Sequence, residues 1–394
     1  MPFDVAAVQE ALKAEKLDGW LLYDFHGSNP IAARLIGAGD GAKMTTRRWF
    51  YLVPAAGDPK GLVHAIERRT LDALPGQKTI YAGRQQLDAE LTTLLSGMKR
   101  IAMEYSRECA IPYISRIDAG TFELVQRRGI EIESSGDLVQ RFEAVWDDHA
   151  LATHRKASEA LYRVKDRAFE TIAKRLRAGE AMTEFAVQQQ MAAWFEEEGL
   201  ISDSNPVVAA QENAGDPHYL PTARRTRQIQ ANELVLLDLW AKTKDDPRAV
   251  YADITWVGFT GDKVPDEMVR AFGAIRGARD AAAALVQQSA RDQTDLRGWQ
   301  VDRAARSVLQ DAGFGERILH RTGHNLGRDV HGNGVHMDDY ESHDDRRLLP
   351  GTGFTIEPGL YFDSFGVRTE INMFYGKREA LITGPAQTEI VRLV

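Results

Sequence analysis

"VLLDLWAKTKDDPRAVYADITWVGF", Val235 to Phe259, decides the fold. Its apolar arms read as two strands and "KTKDDPR" as the polar turn between them. Each arm carries a carboxylate, Asp238 in "VLLDLW" and Asp253 in "VYADITW". A carboxylate among Leu, Val and Ile is costly to desolvate unless it is paired or bound to a cation. Strand alternation offers one escape, since either acid can point to a wet face.

The arrangement repeats near the C-terminus. "GTGFTIEPGLYF" and "GVRTEINMFY" read as strands around "DSFG", with Glu357 on one and Glu370 on the other. Two hairpins with an acid on every arm bring four carboxylates to one point, where they repel unless a cation is present. "LHRTGHNLGRDVHGNGVH", Leu319 to His336, holds four of the ten histidines and Gly323, Gly327, Gly332 and Gly334. One imidazole from it completes an oxygen-rich site with a single nitrogen. That composition suits manganese and other first-row divalent ions better than a cysteine-rich structural zinc site. Two ions sharing bridging carboxylates is the economical arrangement.

The rest of the chain sets the frame. Its 394 residues predict two or three domains, and 43% hydrophobic residues allow a large core. A net charge of −8 gives no general attraction to phosphate backbones or anionic lipid, which argues against nucleic acid and membrane partners. The lone Cys109 cannot form an internal disulfide and reads as a small buried side chain. "MPFDVAAVQEALKAEKLDGW" is charged throughout and is not read as a leader, and no apolar run is long enough to span a bilayer. A soluble cytoplasmic protein is expected.

Val5, Val8 and Leu12 predict an opening helix. "GWLLYDF", "RWFYLVP", "GLVHAI", "KRIAMEY" and "GIEIESS" read as strands, so residues 1–150 are expected to form a small α/β domain. Residues 151–394 are expected to be α+β, with antiparallel strands. Long helices are predicted up to Gly179, up to Gly199, from Pro265 to about Gln288, and across "WQVDRAARSVLQDAG".

The C-terminal half resembles the pita-bread metallopeptidases, the superfamily of methionine aminopeptidase, aminopeptidase P, prolidase and creatinase. The resemblance rests on "LLDLWAK", "YADITW", "HRTGHNLGRDVH", "TIEPGLY" and "GVRTEIN", in that order. It implies Asp238, Asp253, His324, Glu357 and Glu370 as ligands of two divalent ions, with manganese first and cobalt or zinc as alternatives. "ENAGDPHYLPT" resembles the segment of a further active-site histidine, His218. "LKAEKLDGWLLYD" resembles the creatinase-type N-terminal domain, which points to aminopeptidase P or prolidase. Trp240 and Trp256 depart from the family, standing where glycine and arginine are common.

The resemblance implies hydrolysis of the bond before proline by a hydroxide bridging the two ions, in an Xaa-Pro dipeptidase working on short peptides. Glu357 is then the catalytic acid/base, and His218 and His331 stabilise the intermediate and bind substrate. His320, Tyr361 and Arg368 are further substrate-binding candidates. Arg368 suits either a carboxylate beside the metals or a substrate C-terminus. The alternatives are an Xaa-Pro aminopeptidase taking longer peptides, a non-catalytic pita-bread scaffold, and a metal-free amidinohydrolase like creatinase. A homodimer is implied. The segment "TTRRWF", with Arg47 and Arg48, is expected to face either solvent or a neighbouring subunit. His336, His343 and the run "HMDDYESHDDRR" are read as solvated loop, and the glycines of the histidine stretch as room for metals and peptide.

Overall fold

The computed structural model describes residues 4–37 and 45–394; the first three residues of the stretch read for a leader lie outside them. The chain divides into two compact units, Met1–Glu143 and Ala144–Val394. No helix among the described residues is long and apolar enough to cross a membrane.

The first unit runs α1 (Val5–Ala14), β1 (Gly19–Asp24), α2 (Pro30–Leu35), β2 (Trp49–Pro54), β3 (Lys60–His64), β4 (Gln77–Tyr81), α3 (Arg84–Leu94), β5 (Arg100–Met103), α4 (Ala119–Gln126), β6 (Glu131–Ser134) and α5 (Gly136–Glu143). Six strands among its described residues form one mixed sheet in the order β4-β3-β2-β1-β5-β6. The Val5, Val8, Leu12 spacing does produce α1, which starts where the Asp4 carboxylate accepts from Ala7 N at 3.0 Å. Central strand β1 is buried along its whole length because both faces are covered. Trp20 and Leu22 pack into one core with Val8, Leu12 and Ile31. Leu21 and Tyr23 pack into a second with Leu87, Leu91 and Val125. Cys109 is exposed in place of the expected buried position, on a turn where Glu108 and Cys109 both take positive φ.

The second unit opens with α6 (Asp148–Arg177), α7 (Glu184–Glu197), β7 (Leu200–Ile201) and β8 (Val207–Ala210). It continues with β9 (Leu234–Thr243), β10 (Ala252–Phe259), α8 (Asp266–Asp292), α9 (Gly298–Asp311) and β11 (Asn325–Leu326). It closes with β12 (Thr352–Ile356), β13 (Gly359–Tyr361), β14 (Gly366–Arg368), β15 (Ile371–Tyr375), β16 (Ala380–Ile382) and β17 (Val391–Arg392). α6 and α7 end close to Gly179 and Gly199, which take the left-handed φ of +70° and +68° that a helix stop favours. α8 outruns its expected end by four residues, and Pro265 stands at its N-cap instead of in the first turn.

Period-2 alternation places the hairpin β9–β10 between two layers. Val235, Leu237, Leu239 and Ile254 pack against α6 and α7. Leu234, Leu236, Val257 and Phe259 pack with α8, α9 and the strands β12 to β15. Each fully buried Leu or Val contributes roughly 1.5–3 kcal/mol, so the register is strongly held. Asp238 and Asp253 have the parity of the second set. They therefore face the inner layer, and the wet-face escape does not apply.

Candidate metal centre

The acids meet through register. In β9–β10, Asp238 lies opposite Thr255 and Asp253 opposite Trp240, which puts the two aspartates diagonally on one face. The second pair arises differently from the expected continuous hairpin. β12 and β15 pair up to Ile356–Ile371, and β13 and β14 resume at Gly359–Arg368. The interruption follows from Pro358, which has no N–H to give to a ladder. Glu357 and Glu370 occupy this break. Their main-chain N–H groups donate elsewhere, Glu357 to Thr322 O at 2.7 Å and Glu370 to Thr255 O at 3.2 Å. His324 is seated on β12 by Thr355, whose hydroxyl accepts from His324 N at 3.0 Å and whose N–H donates to His324 O at 2.9 Å.

Asp253, His324 and Glu370 converge from three segments, with one donor atom from each lying within 4.8 Å of the others. His324 Nε2 is 3.6 Å from Asp253 Oδ2 and 3.2 Å from Glu357 Oε1. Its Nδ1 faces the Asn325 carbonyl at 3.3 Å, which turns Nε2 toward the carboxylates and makes it the nitrogen placed to ligate. Asp253 Oδ1 and Glu370 Oε1 are buried without a hydrogen-bond partner. Asp238 stands outside the close group, because its Oδ2 accepts from the Arg368 guanidinium.

Charge follows geometry. Burial, followed by the negative charges around them, pushes the Asp253 and Glu370 carboxyls well above the ordinary range. Burial also raises Asp238, against the pull of Arg368. Glu357 goes the other way. Burial works against its charge, but the His324 hydrogen bond and the positive field that includes the Arg368 guanidinium outweigh it and hold it low. Four carboxylates thus share a buried space with one guanidinium, and two of their oxygens lack any partner. That donor set fits a divalent cation of the kind that takes oxygen and one imidazole nitrogen.

The remaining expected site residues fall into two groups. The His331 ring lies against that of His324, centroids 4.2 Å apart and planes tilted by 59°, and burial followed by the neighbouring charges lowers it to about 3. His218 is exposed and adds to that electrostatic field. The second group is buried and tied together. His320 Nδ1 faces Arg321 O at 2.7 Å, so its Nε2 accepts from the Tyr361 hydroxyl at 2.7 Å. Tyr361 in turn accepts from Arg368 Nη1 at 2.9 Å. Tyr361 and Arg368 make these bonds inside the protein, and Arg368 also donates to Asp238.

Three supporting residues are absent from the sequence reading. Thr255 accepts from Arg368 Nε at 3.1 Å and donates to Glu370 Oε2 at 2.9 Å. Thr355 donates to Glu357 Oε1 at 3.0 Å. Asn372 Oδ1 accepts from Asp253 N at 3.0 Å, and its amide donates back to Asp253 O. Each lies two positions from an acid and so on the same strand face, the one regularity the sequence holds for them.

His336 and the run that follows it are less solvated than expected. His336 is fully buried and accepts from Asn325 N through Nδ1 at 3.2 Å. "HMDDYESHDDRR" is not solvated throughout: Asp338, Asp344 and Arg346 are buried. Asp338 accepts from three successive N–H groups, of Tyr340, Glu341 and Ser342. A Cβ on Gly323 would stand 2.1 Å from Thr355 O, and one on Gly332 or Gly334 would strike the Asn325 side chain. These three glycines make room for the protein's own strand and asparagine, while a Cβ on Gly327 would meet nothing closer than 3.9 Å.

Residues 153–375 match the model of metallopeptidase family M24. An Xaa-Pro dipeptidase of Lactobacillus delbrueckii subsp. lactis is 31% identical over 242 residues, covering 59% of this chain and 58% of that one. The chain thus spans less than two thirds of that relative's length. The crystal structure of dipeptidase PepE from Mycobacterium ulcerans superposes with a TM-score of 0.70 at 23% identity, over 99% of this chain and 96% of the other. A dipeptidase structure from Pyrococcus horikoshii gives a TM-score of 0.62 at 25% identity, over 98% and 99%.

Proposed function

The chain belongs to metallopeptidase family M24, and from that premise we propose that it is an Xaa-Pro dipeptidase, hydrolysing the bond before proline in short peptides. The observation that carries the reading is the meeting of Asp253, His324 and Glu370 with two partnerless buried carboxylate oxygens. The proline specificity is supported by the Xaa-Pro dipeptidase among its relatives. We assign Asp238, Asp253, His324, Glu357 and Glu370 to two divalent ions, with manganese as the first choice. When bound, such ions acidify water and polarise a carbonyl oxygen.

The chain's own residues do the rest. Glu357 is ionised at neutral pH. Its Oε1 is engaged by Thr355 and His324, which leaves Oε2 to take a proton from water and return it to the leaving nitrogen. His331, neutral over the working range, donates or accepts without adding charge. His331 and exposed His218 bind and orient the peptide. Tyr361, His320 and Arg368 hold the wall behind Asp238. We further propose a cytoplasmic homodimer.

The test is turnover of an Xaa-Pro dipeptide against an Xaa-Pro-Xaa tripeptide by the manganese-loaded chain. Dipeptide cleavage is expected, abolished by chelator and lowered roughly 10²–10⁴-fold by Glu357→Gln. Preference for the tripeptide would make it an aminopeptidase. Turnover that survives chelation would indicate a metal-free hydrolase, and a chain that binds no ion would be a scaffold.

A further inference from the structure

His154 lies on α6 and is fully buried, with the Trp146 ring 5.0 Å away. Its two nitrogens join two elements. Nδ1 is 2.8 Å from Tyr251 O, and Nε2 is 2.6 Å from Thr383 Oγ1. A carbonyl can only accept, so Nδ1 carries the proton and Nε2 accepts from the threonine hydroxyl. Burial lowers this imidazole to about 4, in keeping with a neutral ring. Thr383 N donates to Asn372 O at 3.0 Å. The Asn372 amide then grips the main chain of Asp253 on both sides, at N and at O. Tyr251 lies two residues before Asp253. The hydrogen bonds therefore close a ring: His154, Tyr251, Asp253, Asn372, Thr383 and back to His154.

The ring crosses the gap between two sheets. Asp253 belongs to β10, and Asn372 belongs to β15, two positions after Glu370. Asp253 and Glu370 repel each other and have no direct bond between them; Thr255 ties Glu370 to β10, and Asn372 ties the main chain of Asp253 to β15. We propose that this ring is the positioning device that holds Asp253 and Glu370 at the separation a divalent ion needs, with His154 and Thr383 as positioning residues. The proposal rests on the metallopeptidase reading above. Outer partners of metal ligands act by fixing ligand orientation, and their loss weakens metal binding about 10–100-fold.

The test is calorimetric titration of the metal-free full-length chain with Mn²⁺. Thr383→Val keeps the shape and deletes the hydroxyl; Thr383→Ser keeps the hydroxyl. Thr260→Val is the control, since Thr260 is fully buried where Thr383 is only partly so, and its hydroxyl bonds Gln230 O and Glu233 O outside the ring. The expected result is about tenfold weaker binding in Thr383→Val, with the other two unchanged. Unchanged affinity in Thr383→Val, beside a wild-type chain that binds Mn²⁺, would overturn the ring and leave the proposed function standing. Equal weakening in Thr260→Val would also overturn it, as general loosening. A wild-type chain that binds no Mn²⁺ would remove both readings.

Discussion

Asp253 and Glu370 are poised against each other. Each is buried, each keeps an oxygen without a partner, and the charge of Glu370 raises Asp253. Removing one charge has opposite effects with and without metal. Asp253→Asn is expected to raise the denaturant midpoint of the metal-free chain, because a buried like-charge contact is gone. The same change is expected to weaken Mn²⁺ binding at least about tenfold. Calorimetry and urea melts with and without Mn²⁺ check both signs; a variant less stable without metal would contradict the account. The identity of these acids was legible because a carboxylate inside an apolar strand is out of place. The partner of Arg368 was legible only as a type. That the carboxylate is Asp238, distant in sequence, depends on β14 folding back beside β9. His336 was misread because its burial comes from Asn325 and its neighbours, which carry no local signal.

At the scale of elements, alternation did most of the work. The hydrophobic pattern of Val235–Phe259 predicts the β9–β10 hairpin, and its parity assigns the aspartates to one face. The second hairpin was legible except at its centre, where Pro358 interrupts pairing and turns Glu357 and Glu370 inward. Thr255, Thr355 and Asn372 sit two residues from acids on the same faces, yet threonine and asparagine in strands are too ordinary to stand out. Gly323 shows how closely the histidine segment lies on β12. A Cβ there would stand 2.1 Å from Thr355 O, and main chain has little freedom to yield. Gly323→Ala is therefore expected to cost about 1–3 kcal/mol of stability. It should also weaken metal binding, because His324 is the next residue. Urea denaturation and Mn²⁺ titration measure the two effects; a neutral Gly323→Ala would mean the segment is free to lift.

At the scale of the molecule, the first unit carries its own pH dependence. Glu104 is fully buried, with Trp20 Nε1 at 2.7 Å, Asn29 Nδ2 at 2.7 Å and Ser135 Oγ at 3.1 Å donating to it. Burial outweighs these donors and raises it from 4.5 to about 7. A raised acid stabilises the fold in its protonated form. Its contribution is complete below about pH 4.5 and is lost as pH rises through about 7, a change of about 3 kcal/mol. Glu104→Gln should flatten the fall in unfolding midpoint between pH 5 and 8. The slope is the readout, since an amide nitrogen facing Asn29 Nδ2 shifts the absolute value. An unchanged slope would assign the pH dependence elsewhere. Sequence alone determined the α/β and α+β halves, the two acid-bearing hairpins and the imidazole segment, because periodicity, turn chemistry and misplaced charge are local. Tertiary structure decided which acids lie within ligating distance, that Arg368 takes Asp238, and that His154 and Thr383 tie the two sheets together. Those facts depend on chain segments more than 100 residues apart packing in one register, and no local pattern encodes that meeting.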